Sequence, residues 1–131
     1  MKSVTHQVPN PSHFNYAVLE YANKVGVEFH CSKIAEAMAD HFNLSPEARR
    51  ERTKEKNGLC YKVRTSRALS NFTRYGGLLC RTRRGYYEIT DVGRREISRL
   101  KGPITFHYIK KTYRYIPKET TIKKTTIKKP L

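Results

Sequence analysis

Arg64, Arg67, Ser70, Asn71 and Arg74 recur at spacings of three, four and seven residues. At 3.6 residues per turn, those spacings place them on one face of a helix. A guanidinium is a planar fork that grips phosphate or the guanine edge with two parallel hydrogen bonds, and an Asn amide can pair with adenine in the same way. Val63 shares this face, and no Asp or Glu does. A helix that only has to be solvated usually mixes Glu with Lys or Arg, because each opposite-charge pair at i,i+4 adds roughly 0.2–0.5 kcal/mol. The missing carboxylates favour an anionic partner. Two further cationic groups stand downstream. Arg83 and Arg84 precede Gly85, and Lys123, Lys124, Lys128 and Lys129 lie in an exact repeat of Thr-Thr-Ile-Lys-Lys at 120–124 and 125–129.

Other chemistries find little support. His30 beside Cys31, with His41 a helical distance away, does not assemble four ligands at zinc spacings, and Cys60 and Cys80 fall in unrelated segments. These cysteines are expected to be small core residues. No third group stands out to orient a Cys-His nucleophile pair. Gly76-Gly77 lacks the G-x-x-x-x-G-K-[S/T] frame of a phosphate loop. No Asp or Glu is followed two positions later by Lys, so the tripeptide that sets a metal-binding carboxylate beside a lysine is missing. The expectation is a non-enzyme without metal or cofactor.

The whole chain agrees with a polyanion partner. Its 131 residues carry 27 Lys and Arg against 11 Asp and Glu, a formal charge of +16. Residues 1–46 hold three basic and four acidic side chains, residues 61–100 ten and three, and residues 101–131 nine and one. The cationic surface therefore belongs to the part after Leu59, and phosphate neutralisation supplies most non-specific nucleic-acid affinity. The length suits one domain. No apolar run approaches the roughly 20 residues needed to span a bilayer, and no apolar signal core opens the chain. Three widely spaced cysteines do not make a secreted disulfide framework, so a cytoplasmic setting is expected.

The elements that must position these groups follow from periodicity. Residues 1–11 read as a loose leader. Phe14, Ala17, Val18, Tyr21, Ala22 and Val25 form a 3.6-period stripe after Ser12 as N-cap, and Gly26 ends that helix. Val27 to Phe29 is a short extended piece. Ser32 reads as the cap of a second helix with Ile34, Ala37, Met38, His41 and Phe42 on its apolar side. Ser45-Pro46 opens a charged third segment that closes at Asn57-Gly58. A major helix is expected from Leu59 to Tyr75, burying Tyr61, Thr65, Ala68, Leu69, Phe72 and Tyr75. Leu78–Arg81 and Tyr86–Ile89 read as a hairpin joined by Thr82-Arg83-Arg84-Gly85, with one of Tyr86 and Tyr87 facing the core. Thr90 caps a last short helix, with Val92, Ile97 and Leu100 closing the core. Residues 101–116 could add a strand or hairpin, and 117–131 read as a mobile basic arm.

From Tyr16 to about Leu100 the chain resembles the N-terminal domain of Mrr-type restriction proteins. The resemblance rests on the helix before Gly26, the S-x-I-x-x-x-M stretch at Ser32 ahead of Asn43-Leu44-Ser45-Pro46-Glu47, and the basic helix ending in Gly76-Gly77-Leu78-Leu79. Its most specific block is Arg83-Arg84-Gly85-Tyr86-Tyr87-Glu88-Ile89-Thr90-Asp91-Val92-Gly93-Arg94. The resemblance implies a winged helix that delivers DNA recognition to a following nuclease domain. Only about thirty residues follow the matched stretch, and the D/E-x-K tripeptide is missing, so the reader is expected here without the nuclease.

The sequence thus points to an α+β, mainly helical fold at 12–100: a winged helix-turn-helix with a two-stranded wing and a basic C-terminal tail. Its expected activity is binding of double-stranded DNA, as a restriction-system module or a transcriptional regulator. Arg67, Ser70, Asn71 and Arg74 would enter the major groove, with Arg64 a further nucleic-acid contact on the same face. Arg83 and Arg84 would touch the minor groove or flanking phosphates, and the tail lysines the backbone. A homodimer, or a separate nuclease or regulatory partner, is compatible with this reading, and a membrane is not. The alternatives are RNA or ribosome binding, which favours a wide sheet with stacking aromatics, and a protein-interaction winged helix, which favours a mixed third-helix face.

Overall fold

A computed structural model of the chain describes residues 7–54 and 58–117. Helix α1 (Pro11–Val25) is followed by strand β1 (Phe29–His30), α2 (Cys31–His41), α3 (Pro46–Arg50) and α4 (Cys60–Arg74). Strands β2 (Leu79–Arg83) and β3 (Tyr86–Ile89) come next, then α5 (Asp91–Ile97) and α6 (Phe106–Thr112). The fold is α+β and mainly helical, with a three-stranded antiparallel sheet in the order β1-β3-β2. The expected sheet had two strands. Phe29 and His30 pair with Tyr87 and Tyr86, and so close the hairpin against the start of α2. A two-residue strand is too short to show alternation, so Val27–Phe29 read only as an extended piece.

The helix starts follow capping chemistry, with two corrections. Ser45 accepts from the Ala48 amide at 3.1 Å and Thr90 from the Gly93 amide at 3.1 Å, as their positions imply. Helix α1, however, begins at Pro11 after Asn10, because proline is preorganised for the first helical turn. Helix α2 is capped by His30, whose Nδ1 accepts from the Ser32 amide at 3.1 Å. An imidazole thus does the work expected of the Ser32 hydroxyl.

The core lies where α1 and α2 cross α4. Phe14, Val18, Leu19, Ile34 and Met38 meet Leu69 and Phe72, and Leu78, Leu79 and Ile89 bring the sheet in beneath them. On α4 the buried residues Tyr61, Thr65, Ala68, Leu69 and Phe72 are those its periodicity indicates, and Tyr75 is half-buried. Cys60 and Cys80 are buried, Cys31 is half-buried, and all three are free thiols.

The expected loose leader is integral in part, and the segment after Leu100 packs in another form than expected. In the leader, Val8 is buried, its amide donates to Glu51 Oε1 at 3.2 Å, and its carbonyl accepts from Arg64. Residues 101–116 do not form the expected strand or hairpin. Thr105 caps α6 by accepting from the Tyr108 amide, and Ile104 and Ile109 are buried on either side of that cap. An apolar residue just before the N-cap and another at the fourth helical position form a hydrophobic staple, a helix signal that outweighs the β-prone composition here. The chain then extends beside the end of α4, where Tyr115 bridges Tyr75 and the Gly76 amide donates to the Arg114 carbonyl. Gly76, at φ 78°, turns the chain out of α4, and a β-carbon there would stand 2.9 Å from the Tyr113 ring. Residues 118–131, including Lys123, Lys124, Lys128 and Lys129 of the expected arm, lie outside the described residues, as do 1–6 and 55–57.

Two phenols tie the helices together. The Tyr61 hydroxyl donates to Glu36 at 2.8 Å, and burial first, then that carboxylate, push its pKa up to about 12. The Tyr113 hydroxyl donates to Glu96 at 2.9 Å and is raised for the same two reasons. A raised folded-state pKa gives stability that is complete below the unfolded value of 10 and is lost as pH rises through the folded value. The urea midpoint should therefore fall steeply between pH 10 and 12. In Tyr61→Phe that fall should be shallower. An unchanged pH profile in the variant would show that Tyr61 ionises as freely in the fold as outside it.

Candidate nucleic-acid interface

Helix α4 positions the expected groups and packs its apolar side against the core. Thr65 and Thr73 are buried and satisfy their hydroxyls on carbonyls one turn back, at 2.8 Å each, so neither competes for the outer face. On that face Arg67 and Ser70 are exposed, and Arg64, Asn71 and Arg74 are half-buried. A cavity of about 370 Å³ opens here, lined by Pro11, Asn15, Arg64, Arg67, Ser70, Asn71 and Phe106.

The five residues are not equivalent. Arg64 Nη1 donates to the carbonyls of Val8 (3.0 Å) and Pro9, and so pins the leader to α4. Arg74 Nη1 donates to the Ile116 carbonyl at 3.3 Å, and its own carbonyl accepts from the Ile116 amide. Both ends of the cationic row are thus fastened to neighbouring chain. The middle of the row, Arg67 with Ser70 and Asn71, carries the outward-facing donors. Asn71 leans on Asn15 of α1, donating from Nδ2 to Asn15 Oδ1 at 3.3 Å.

The β2–β3 hairpin turns more tightly than expected, through Arg84-Gly85 alone, with a register irregularity between Arg81 and Arg83. Gly85 stands at φ 83°, its carbonyl accepts from the Cys31 amide at 2.8 Å, and a β-carbon on it would strike the His30 ring. Arg84 is exposed. Arg83 is occupied: it forms a two-pronged ion pair with Glu28, both contacts at 3.4 Å, and lies 3.8 Å over the Tyr86 ring. The Thr82 hydroxyl also donates to Glu28. That bond and the pair with Arg83 hold the carboxyl below the usual carboxylate range. Tyr87 packs on the core and Tyr86 faces the arginine, so the two tyrosines divide as strand alternation requires.

Asn15, Phe106 and Glu28 were not singled out by sequence reasoning. Asn15 carries a signal, since it stands four residues before Leu19 and so shares the buried side of α1. Glu28 and Phe106 carry none, because each acts through an element that the hydropathy pattern did not reveal. His30 and His41 sit at opposite ends of α2, about 16 Å apart by helical rise. Among the described residues no three His, Cys, Asp or Glu side chains form a group that could hold a metal, and no helix is long and apolar enough to cross a membrane.

No curated protein and no solved structure matches the chain. The family model described as the Mrr N-terminal domain matches residues 12–99, from the first turn of α1 to two residues past α5. That span holds α4, the hairpin and Glu28, and two-thirds of the sequence. The chain belongs to the Mrr N-terminal domain family.

Proposed function

We propose that the protein binds double-stranded DNA as a winged helix, reading it without cutting it. The observation that carries this is α4, a fifteen-residue helix with no carboxylate. It is pinned at both ends by its arginines and presents Arg67, Ser70 and Asn71 around an open cavity. In this reading α4 enters the major groove and the β2–β3 hairpin, with Arg84 at its turn, lies along the flanking backbone. The order of helix, strand, three helices and hairpin, with β1 completing the sheet, supports it, as does membership of a family named for a restriction protein's N-terminal domain.

Electrophoretic competition among duplex DNA, single strands and structured RNA tests the partner class. Duplex DNA should compete best, and preference for structured RNA would sink the proposal. On a site selected from random duplexes, Arg67→Ala should cost about 1–3 kcal/mol and less on random DNA. Equal losses on both would make α4 a phosphate clamp. Plasmid incubated with Mg²⁺ or Mn²⁺ should stay intact.

A further inference from the structure

Asn15 is 2 % exposed, and its amide lies between two partners. Its Nδ2 donates to the Ile104 carbonyl at 2.8 Å, and its Oδ1 accepts from Asn71 Nδ2. The first bond settles both amide orientations. A backbone carbonyl only accepts, so the Asn15 NH₂ must face Ile104 and its oxygen must face Asn71. Asn71 must then turn its own NH₂ inward. The Ile104 backbone is itself held, its amide donating to the Ser12 carbonyl at 3.0 Å. A fixed carbonyl thus orients a side chain on the cavity face of α4 through one buried relay.

We infer that Asn15 is a positioning residue that sets base specificity, a conclusion that rests on the DNA-binding reading. With its inward hydrogen committed, Asn71 offers the groove an Oδ1 acceptor and one remaining N–H. That edge matches a base with an exocyclic amine in the major groove. Adenine fits best, since its N6 amine donates to the oxygen and its N7 accepts from the N–H, whereas cytosine offers only the N4 amine. Guanine and thymine present acceptors where Asn71 Oδ1 stands, and are rejected. The reading unit therefore includes Ile104, outside the span matched by the family model.

The test selects preferred duplexes with the wild-type chain, then locates the position whose preference disappears in Asn71→Ala. That position should carry adenine, with discrimination of roughly 5- to 150-fold. Asn15→Leu fills the buried space but frees the Asn71 amide to rotate. It should reduce this discrimination to within about 2-fold of the Asn71→Ala level, and affinity for random duplex should change little. Added to Asn71→Ala, it should change the base ratio no further. Full discrimination in a folded Asn15→Leu, or guanine or thymine at the position, overturns the inference and leaves DNA binding standing. A wild-type chain that binds no duplex overturns both. Should Asn15→Leu fail to fold, hydrogen exchange of the wild-type side-chain amides decides. Those of Asn15 and Asn71 should exchange more slowly than that of exposed Asn23, and equal rates refute the relay.

Discussion

Gly93→Ala should cost about 3 kcal/mol of stability, although alanine is the better helix former by about 1 kcal/mol. Gly93 lies inside α5, where its amide donates to the Thr90 hydroxyl. A β-carbon there would stand 2.2 Å from the Leu78 carbonyl oxygen and 2.7 Å from Ile89 Cγ1. The carbonyl cannot step aside, because it already accepts from both the amide and the hydroxyl of Thr90 at 3.0 Å. At an m-value of roughly 2 kcal/mol/M, the urea midpoint should fall by about 1.5 M. The junction also sets the root of the hairpin against α5, so duplex affinity should fall as well. A midpoint at or above that of the wild type would show that this contact can relax.

Cutting the chain after Leu100 should be more damaging. It removes Ile104 and Ile109, both buried, and truncating a buried Ile costs about 2–5 kcal/mol. It also strands the buried amide of Asn15, worth about 1–3 kcal/mol. The loss approaches the whole stability of an ordinary domain, about 5–15 kcal/mol, so the shortened chain should lack a cooperative urea transition. A chain ending at Pro117 should retain it. Identical midpoints for the two would make α6 and the strand-like stretch after it mere passengers.

What the sequence revealed, and what it hid, divides along physical lines. Helices α1 and α4 were legible because long apolar stripes repeat and glycines stop them. Ser45-Pro46 and Thr90 were legible because a cap is a local bond between near neighbours. The third strand was hidden because its two residues are defined by Tyr86 and Tyr87, far along the chain. Helix α6 was hidden because Phe106, Tyr108 and Ile109 are β-prone types, and the staple across Thr105 shows only once Ile104 and Ile109 are known to be buried. Which residues lie off the core on α4 followed from its periodicity, but which arginines are fastened depends on Val8, Pro9 and Ile116. Those residues meet the helix only in three dimensions.

The pairing of Glu28 with Arg83 bears on how the hairpin would meet a polyanion. DNA carries a condensed cation atmosphere, and each phosphate neutralised by a protein cation changes the log–log salt slope of binding by about 0.9. An arginine that arrives with its carboxylate attached brings almost no net charge to that exchange. Counting formal positive charges on the hairpin therefore overstates the ions it would release, and exposed Arg81 and Arg84 carry most of that count. What Arg83 supplies instead is rigidity: stacked on Tyr86 and tied to the segment before β1, it holds the hairpin in one pose before any partner arrives.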